Sequence, residues 1–234
     1  PNGTDPTNMT LRLERNGKTR AVLNWYALHP TSLTSKNTLI SSDNKGYAEY
    51  LLENQDHGID RNVPGSGDGF VAAFANANTG DVSPNTWLKP GQGPTKDDHQ
   101  NLKIQGQKQA DAVRAQLKSA GNSVGTGLDS RISYFNFSGM NVDAKYTGTG
   151  RNERTCQGFL GTAFGAGSTE DGGGGWDVYK EGSGRPSILG FLAFTPSSAQ
   201  ISCQKPKGIL FSAKNGTIIQ EKFPVQIMRF GDYY

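Results

Sequence analysis

Apolar and polar positions along the chain form short patterned stretches, each of which predicts an element. Residues 10–13 alternate with period two and predict a strand. Asn16-Gly17 follows as a turn signal, since both residue types tolerate positive φ. Residues 21–28 are apolar and aromatic and predict a mostly buried strand. Pro30 ends its ladder, leaving His29 at the tip. Asp43 or Asn44 can cap a helix reaching about residue 54, with Tyr47, Tyr50 and Leu51 on its apolar face. Residues 70–75 read as a second buried strand that runs directly into the polar stretch 76–85. Leu102, Gly106, Ala110, Val113 and Leu117 recur at helical spacing and predict a long helix from about 97 to 119, closed by Gly121. Residues 132–137, 209–211 and 225–230 predict later strands. Residues 59–69 and 86–94 read as loops, 147–150 and 161–175 are glycine-rich, and 172–175 read as a mobile loop.

This alternation predicts a mixed α/β class: a sheet-based domain with flanking helices and glycine-rich loops. Composition agrees, with 31 glycines and only 34% hydrophobic residues in 234. The net charge of +3 is small and no basic stripe interleaves with aromatics, so a nucleic-acid partner has no support. No stretch reaches the roughly 18 apolar residues of a membrane span. The polar opening Pro1-Asn2-Gly3-Thr4-Asp5 is not a signal peptide, and either a mature secreted protein or an excised piece would begin this way. Sequons at Asn2, Asn8, Asn136 and Asn215 point to a glycosylated, secreted protein. The two cysteines, Cys156 and Cys203, do not by themselves establish a bridge. An oxidising compartment favours one, and two buried thiols are the alternative.

The candidate chemistry lies just past the two buried strands, where sites collect in open α/β sheets. His29, in Asn24-Trp25-Tyr26-Ala27-Leu28-His29-Pro30-Thr31-Ser32, can serve as a metal ligand, a general base or a structural group. His57 and His99 lie in polar contexts that suit surface residues, and neither is spaced from His29 as in a compact metal motif. Ser83 sits in Gly80-Asp81-Val82-Ser83-Pro84-Asn85, where Gly80 and Pro84 set a turn that exposes its hydroxyl. The proline after the serine rules out the Gly-x-Ser-x-Gly elbow, and an ordinary Ser-Pro turn is the plainer reading. Asp43 and Asn44 read either as a helix cap or as groups orienting a site residue. The glycine run 172–175 lacks the Lys-Ser/Thr of a phosphate-binding loop.

Taken in order, these segments closely resemble the neutral ceramidase family. The match runs through Asn24 to Ser32, Ser42-Asp43-Asn44-Lys45-Gly46-Tyr47-Ala48, Phe70-Val71-Ala72-Ala73-Phe74-Ala75 and Gly80 to Asn85. It continues through Gly91-Gln92, Thr155-Cys156, Gly165-Ala166-Gly167-Ser168-Thr169-Glu170-Asp171-Gly172, Cys203-Gln204-Lys205-Pro206-Lys207 and Pro224-Val225-Gln226-Ile227. The resemblance implies hydrolysis of the amide bond of ceramide (N-acylsphingosine) to a fatty acid and sphingosine, with contact at a membrane surface. It implies zinc at the bottom of a hydrophobic pocket, His29 among its ligands, Ser83 as the proposed nucleophile, and a Cys156–Cys203 disulfide. Zinc suits the chemistry, because it polarises an amide carbonyl and acidifies a bound water. Attack by that water and attack by Ser83 both stay open. Members of the family are longer, with another zinc histidine upstream, glutamate and tyrosine ligands downstream, and a C-terminal immunoglobulin-like domain. Residues 1–234 are therefore expected to be part of one catalytic domain that needs the remaining segments of the same enzyme and is inactive alone, since a catalytic zinc takes about three protein ligands. A non-catalytic lipid-binding or structural fragment, and a metal-independent serine esterase pairing Ser83 with His29, are the alternatives.

Overall fold

The computed structural model describes residues 4–80, 82–172, 181, 197–212 and 222–234. Asn2, Asp81, Asn215 and the glycines at 173–175 lie outside the described residues. Helices and small sheets are mixed, as the α/β pattern predicts. The chain forms two compact units, one of Pro1–Gly121 with Thr169–Gly172, the other of Asn122–Ser168 with Gly173–Tyr234.

In the first unit, β1 (Asn8–Arg15) and β2 (Lys18–Tyr26) form an antiparallel hairpin. Asn16 and Gly17 turn it with φ of 55° and 70°, the paired positive values of a tight hairpin turn. The chain then crosses through α1 (Asp43–Tyr50) and a π-helical turn (Leu51–Asp56) before β3 (Val71–Asn76) returns parallel to β2. The sheet order is β1-β2-β3, so β3 is an edge. Its outward amides do not face solvent unpaired: Glu53 accepts from Ala72 N at 3.0 Å and Glu49 from Phe74 N at 3.1 Å. Arg61 lies 2.6 Å from the second Glu53 oxygen and balances the buried charge.

The core sits between this sheet and the helices, with Val22, Ala48, Leu51, Leu52, Phe70, Ala72, Phe74, Ala110 and Val113 buried together. The long helix α2 (Asp98–Leu117) starts at Asp97, whose carboxylate accepts from Gln100 N at 2.9 Å. Gly106 allows its close approach to α1, since a Cβ there would lie 2.7 Å from Asn44 O and 2.9 Å from the Tyr47 side chain. Gly106, Ala110 and Val113 are buried, as the helical spacing predicts. Asn101, Gln105 and Gln109 are buried as well, which hydrophobic periodicity does not anticipate.

Lys45 on α1 is buried, and its ammonium donates to Tyr26 O at 2.8 Å and Ala75 O at 3.3 Å. These carbonyls lie at the C-terminal ends of β2 and β3, so one side chain ties both strands where their loops diverge. Burial pushes the Lys45 pKa down to about 8.

In the second unit, β4 (Leu128–Asn136) pairs antiparallel with β9 (Lys222–Phe230). Between them come β5 (Asn141–Val142), α3 (Ala144–Thr147), β6 (Glu153–Arg154), β7 (Phe159–Gly161), α4 (Thr162–Ala166), α5 (Ser198–Gln204) and β8 (Ile209–Ser212). β5 pairs with β6 and β7 with β8. Within the glycine-rich stretch, residues 161–166 form a strand end and a short helix. Cys156 and Cys203 form a disulfide with a sequence separation of 47. Alternation along β4 does not bury one face: Ile132, Tyr134 and Phe135 are exposed, as are Val225, Ile227 and Met228 on its partner.

Two predictions follow from this architecture. Between about pH 8 and the ordinary lysine value of 10.5, the folded protein binds fewer protons at Lys45 than the unfolded chain does, so its stability rises with pH across that window. Thermal melts of the wild type and Lys45→Met over that range are expected to move several degrees in favour of the lysine protein, and parallel curves would refute this. Separately, replacing both cysteines by serine is expected to destabilise the second unit by up to about 4 kcal/mol, from loop closure over 47 residues. Hydrogen exchange should quicken in β7 and β8 and remain unchanged in β2 and α2.

Candidate functional site

Two loops leave the C-terminal ends of β2 and β3, and the sequence candidates sit on them. His29 follows β2 by three residues and Ser83 lies beyond β3. Val82 brings them together: its carbonyl accepts from the His29 backbone N–H at 3.0 Å and lies 3.0 Å from His29 Nδ1. A carbonyl only accepts, so Nδ1 carries a proton, and in the neutral ring the lone pair is on Nε2. Among the described residues no hydrogen bond engages Nε2. The ring is half-buried. This tautomer, fixed by a backbone acceptor, is the one that presents Nε2 to a metal.

The loop carrying His29 is held from below by α1. Asp43, with a φ of 52°, accepts from Ser32 N at 3.0 Å, Leu33 N at 2.7 Å and Asn44 N at 2.6 Å. Asn44 is fully buried and donates to His29 O at 3.1 Å and Ser32 Oγ at 3.0 Å. The residue at the helix N-cap is Ser42, which makes no side-chain capping bond. Asp43 and Asn44 therefore orient the histidine loop rather than cap the helix.

The buried amides of α2 hold the surrounding backbone at spacings of one helical turn. Asn101 donates to Gly91 O at 2.7 Å and Thr95 O at 3.0 Å. Gln105 donates to Pro84 O at 3.4 Å, and Gln109 to Asn44 Oδ1 at 3.0 Å. At the start of the helix Asp98 accepts from Thr34 N at 3.1 Å and Thr34 Oγ1 at 2.9 Å. Burial opposes the charge on Asp98, but the hydrogen bonds from Thr34, aided by His99, outweigh it and lower its pKa.

The Ser83 hydroxyl donates to Asp171 Oδ1 at 2.6 Å and accepts from Asn85 N at 3.1 Å. The same Asp171 oxygen accepts from Thr31 Oγ1 at 3.1 Å and Asn85 Nδ2 at 2.8 Å. Asn85 also donates to Thr31 O at 3.0 Å. Thr31, Ser83, Asn85 and Asp171 thus form one polar cluster beside the His29–Val82 contact. Asp171 belongs to the matched segment 165–172, but nothing local links it to Ser83, which lies 88 residues earlier.

The other predicted groups fall elsewhere. His57 Nδ1 lies 3.0 Å from Asp68, and its ring stacks on Phe70 at 3.8 Å. That hydrogen bond is the main cause of the lowered Asp68 pKa. His99 is exposed in the first turn of α2. Asn8 lies in β1, with its side-chain oxygen accepting from Asn24 Nδ2 at 2.5 Å. Asn136 is exposed at the end of β4. Among the described residues no group of three or more His, Cys, Asp or Glu is placed to hold a metal ion. Nor is any described helix long and apolar enough to cross a membrane.

Comparison with known proteins gives a consistent answer. Residues 1–234 match the model of the neutral/alkaline non-lysosomal ceramidase N-terminal region. The neutral ceramidase of Pseudomonas aeruginosa is 34% identical over 238 residues, covering 98% of this chain and 34% of that protein. The neutral ceramidase of Mycobacterium tuberculosis is 34% identical over 244 residues, covering 100% of this chain and 37% of that protein. A solved structure described as a ceramidase complexed with C2 superposes with a TM-score of 0.78 at 33% identity, over 98% of this chain and 35% of that one. The crystal structure of the Pseudomonas aeruginosa neutral ceramidase gives 0.70 at 29% identity, over 98% and 33%. The chain spans about a third of the length of the curated relatives it matches. With its full length matched by the family model and by relatives 34% identical to it, the chain belongs to the neutral/alkaline non-lysosomal ceramidase family.

Proposed function

We propose that this chain forms part of the catalytic domain of a secreted ceramidase, which hydrolyses the amide bond of ceramide at a membrane surface to give a fatty acid and sphingosine. The proposal draws on the names of its relatives and on one observation above others, the commitment of His29 Nδ1 to the Val82 carbonyl. That bond leaves the Nε2 lone pair for zinc, which His29 would hold together with ligands from the remaining segments of the same enzyme. Zinc bound there supplies Lewis-acid polarisation of the amide carbonyl.

The chain's own residues do the rest. Ser83 presents an oxygen whose proton is already directed at Asp171. In the proposed reaction this oxygen attacks the amide carbon, the C–N bond breaks, the Ser83 proton ends on the leaving amine of sphingosine, and water then hydrolyses the acyl-serine, giving its OH to the fatty acid and its other proton to Ser83. A metal-independent serine esterase would direct the Ser83 proton to the His29 ring, whereas it is donated to Asp171 and the ring donates to Val82. The Cys156–Cys203 bridge supports an oxidising, extracellular compartment, in keeping with glycosylation at the sequons.

The test uses the complete enzyme that contains this chain. Turnover of a labelled ceramide is expected to fall at least about 1,000-fold in Ser83→Ala while bound zinc is retained. In His29→Ala, elemental analysis is expected to show zinc lost along with activity. Full turnover by Ser83→Ala with zinc bound would remove the serine from the mechanism, and full activity after chelation would remove the metal.

A further inference from the structure

Asp171 stands out among the polar groups around the proposed reactive serine. One of its oxygens accepts hydrogen bonds from three side chains: Thr31 at 3.1 Å, Ser83 at 2.6 Å and Asn85 at 2.8 Å. Thr31 stands two residues past His29 on the loop after β2, and Ser83 and Asn85 are on the loop after β3. Asp171 itself comes from the short segment Thr169–Gly172, which joins the first unit although the residues on either side of it belong to the second. Three separate stretches of chain therefore meet at a single carboxylate oxygen.

The arrangement determines where the Ser83 proton points. A hydroxyl has one proton to give, and here it is given to Asp171. Asn85 N occupies one of the acceptor directions on Ser83 Oγ at 3.1 Å. The remaining lone pair has a fixed direction, so the hydroxyl cannot rotate freely among its staggered positions. Asn85 is buried at 2% exposure, and it is held at once by Asp171 and by Thr31 O at 3.0 Å, so the frame around the serine is itself fixed. Orientation of this kind is where positioned groups contribute most to rate, because small displacements of a reacting atom are penalised steeply.

We propose that Asp171 is a positioning residue for the amide cleavage, acting through Ser83 by holding its hydroxyl proton and fixing the direction of its free lone pair. The proposal rests on the reading of Ser83 as the reactive oxygen. It adds that the serine works only when the Thr169–Gly172 segment is seated on the two strand-end loops.

The test is a double-substitution cycle in the complete enzyme, reading kcat, KM and melting temperature on a fluorescently labelled ceramide. Asp171→Ala is expected to lower kcat by about 100-fold with KM held within about threefold. Asp171→Asn, which keeps an acceptor oxygen for Ser83, is expected to lose less than Asp171→Ala and to melt close to the wild type. In a Ser83→Ala background, Asp171→Ala is expected to change the residual rate by less than about twofold, because its route of action is already gone. An equal loss in both backgrounds would show that Asp171 acts on the scaffold rather than through Ser83, and would overturn the proposal while leaving Ser83 in place. Unchanged kcat in both Asp171 variants would also overturn it. Wild-type turnover by Ser83→Ala alone, with zinc bound, would remove the reactive serine and the role of Asp171 with it.

Discussion

The site loops depend on one constraint, that a polar group taken out of water must find a partner. Asn101, Gln105 and Gln109 line the buried side of α2 at four-residue intervals, and each donates to the oxygen of a different surrounding segment. A purely apolar face would have packed the helix on the sheet and left those carbonyls unsatisfied. The amides instead satisfy the segments around Gly91, Pro84 and Asn44 from a rigid element. Leaving a buried donor or acceptor unpaired costs on the order of 1–3 kcal/mol, so each contact also selects one loop conformation over its alternatives.

Asn44 extends this arrangement by one step. Its side-chain oxygen receives Gln109 and its nitrogen donates to His29 O and Ser32 Oγ, so the helix reaches the histidine through a single intermediate amide. Asp43 holds the same loop by its backbone amides, and Lys45 ties the strand ends beneath it. Consecutive residues of α1 thus carry three different supporting roles. The sheet edge is treated in the same way, with Glu49 and Glu53 taking up the outward amides of β3. The first unit uses buried polar contacts where a larger sheet would use more strands, which fits its small apolar core.

The second unit shows the opposite balance. The β4–β9 ribbon leaves large apolar side chains exposed, although its pairing is continuous over nine positions. Backbone pairing alone does not bury a two-stranded ribbon, since burial needs a third layer or further strands. The disulfide between Cys156 and Cys203 supplies a covalent link in a unit whose described residues include few buried side chains.

Local chemistry made several features legible in the sequence. The Asn16-Gly17 hairpin, the two core strands, the long helix and the family were all readable, because turn geometry, hydrophobic period and an ordered set of segments are properties of neighbouring residues. His29 and Ser83 could be singled out for the same reason, each standing just past a buried strand. The helix face was read only in part: the spacing of Gly106, Ala110 and Val113 is apolar and visible, while Asn101, Gln105 and Gln109 look like solvent-facing residues until the loops they bind are in place. For Asp43 and Asn44 a helix cap is the plainer sequence reading and orientation of a site group the alternative, and the position of the 29–34 loop decides between them. Asp171 stands in a segment that resembles the family, but its role is not legible there, because a carboxylate in a glycine-rich stretch acquires it only when folding brings Thr31, Ser83 and Asn85 to it across the sequence. The sequence by itself thus determined the long elements and the candidate residues past the two buried strands, which follow from local periodicity and chemistry. Tertiary structure alone decided which polar groups meet, because those contacts join segments that no local pattern relates.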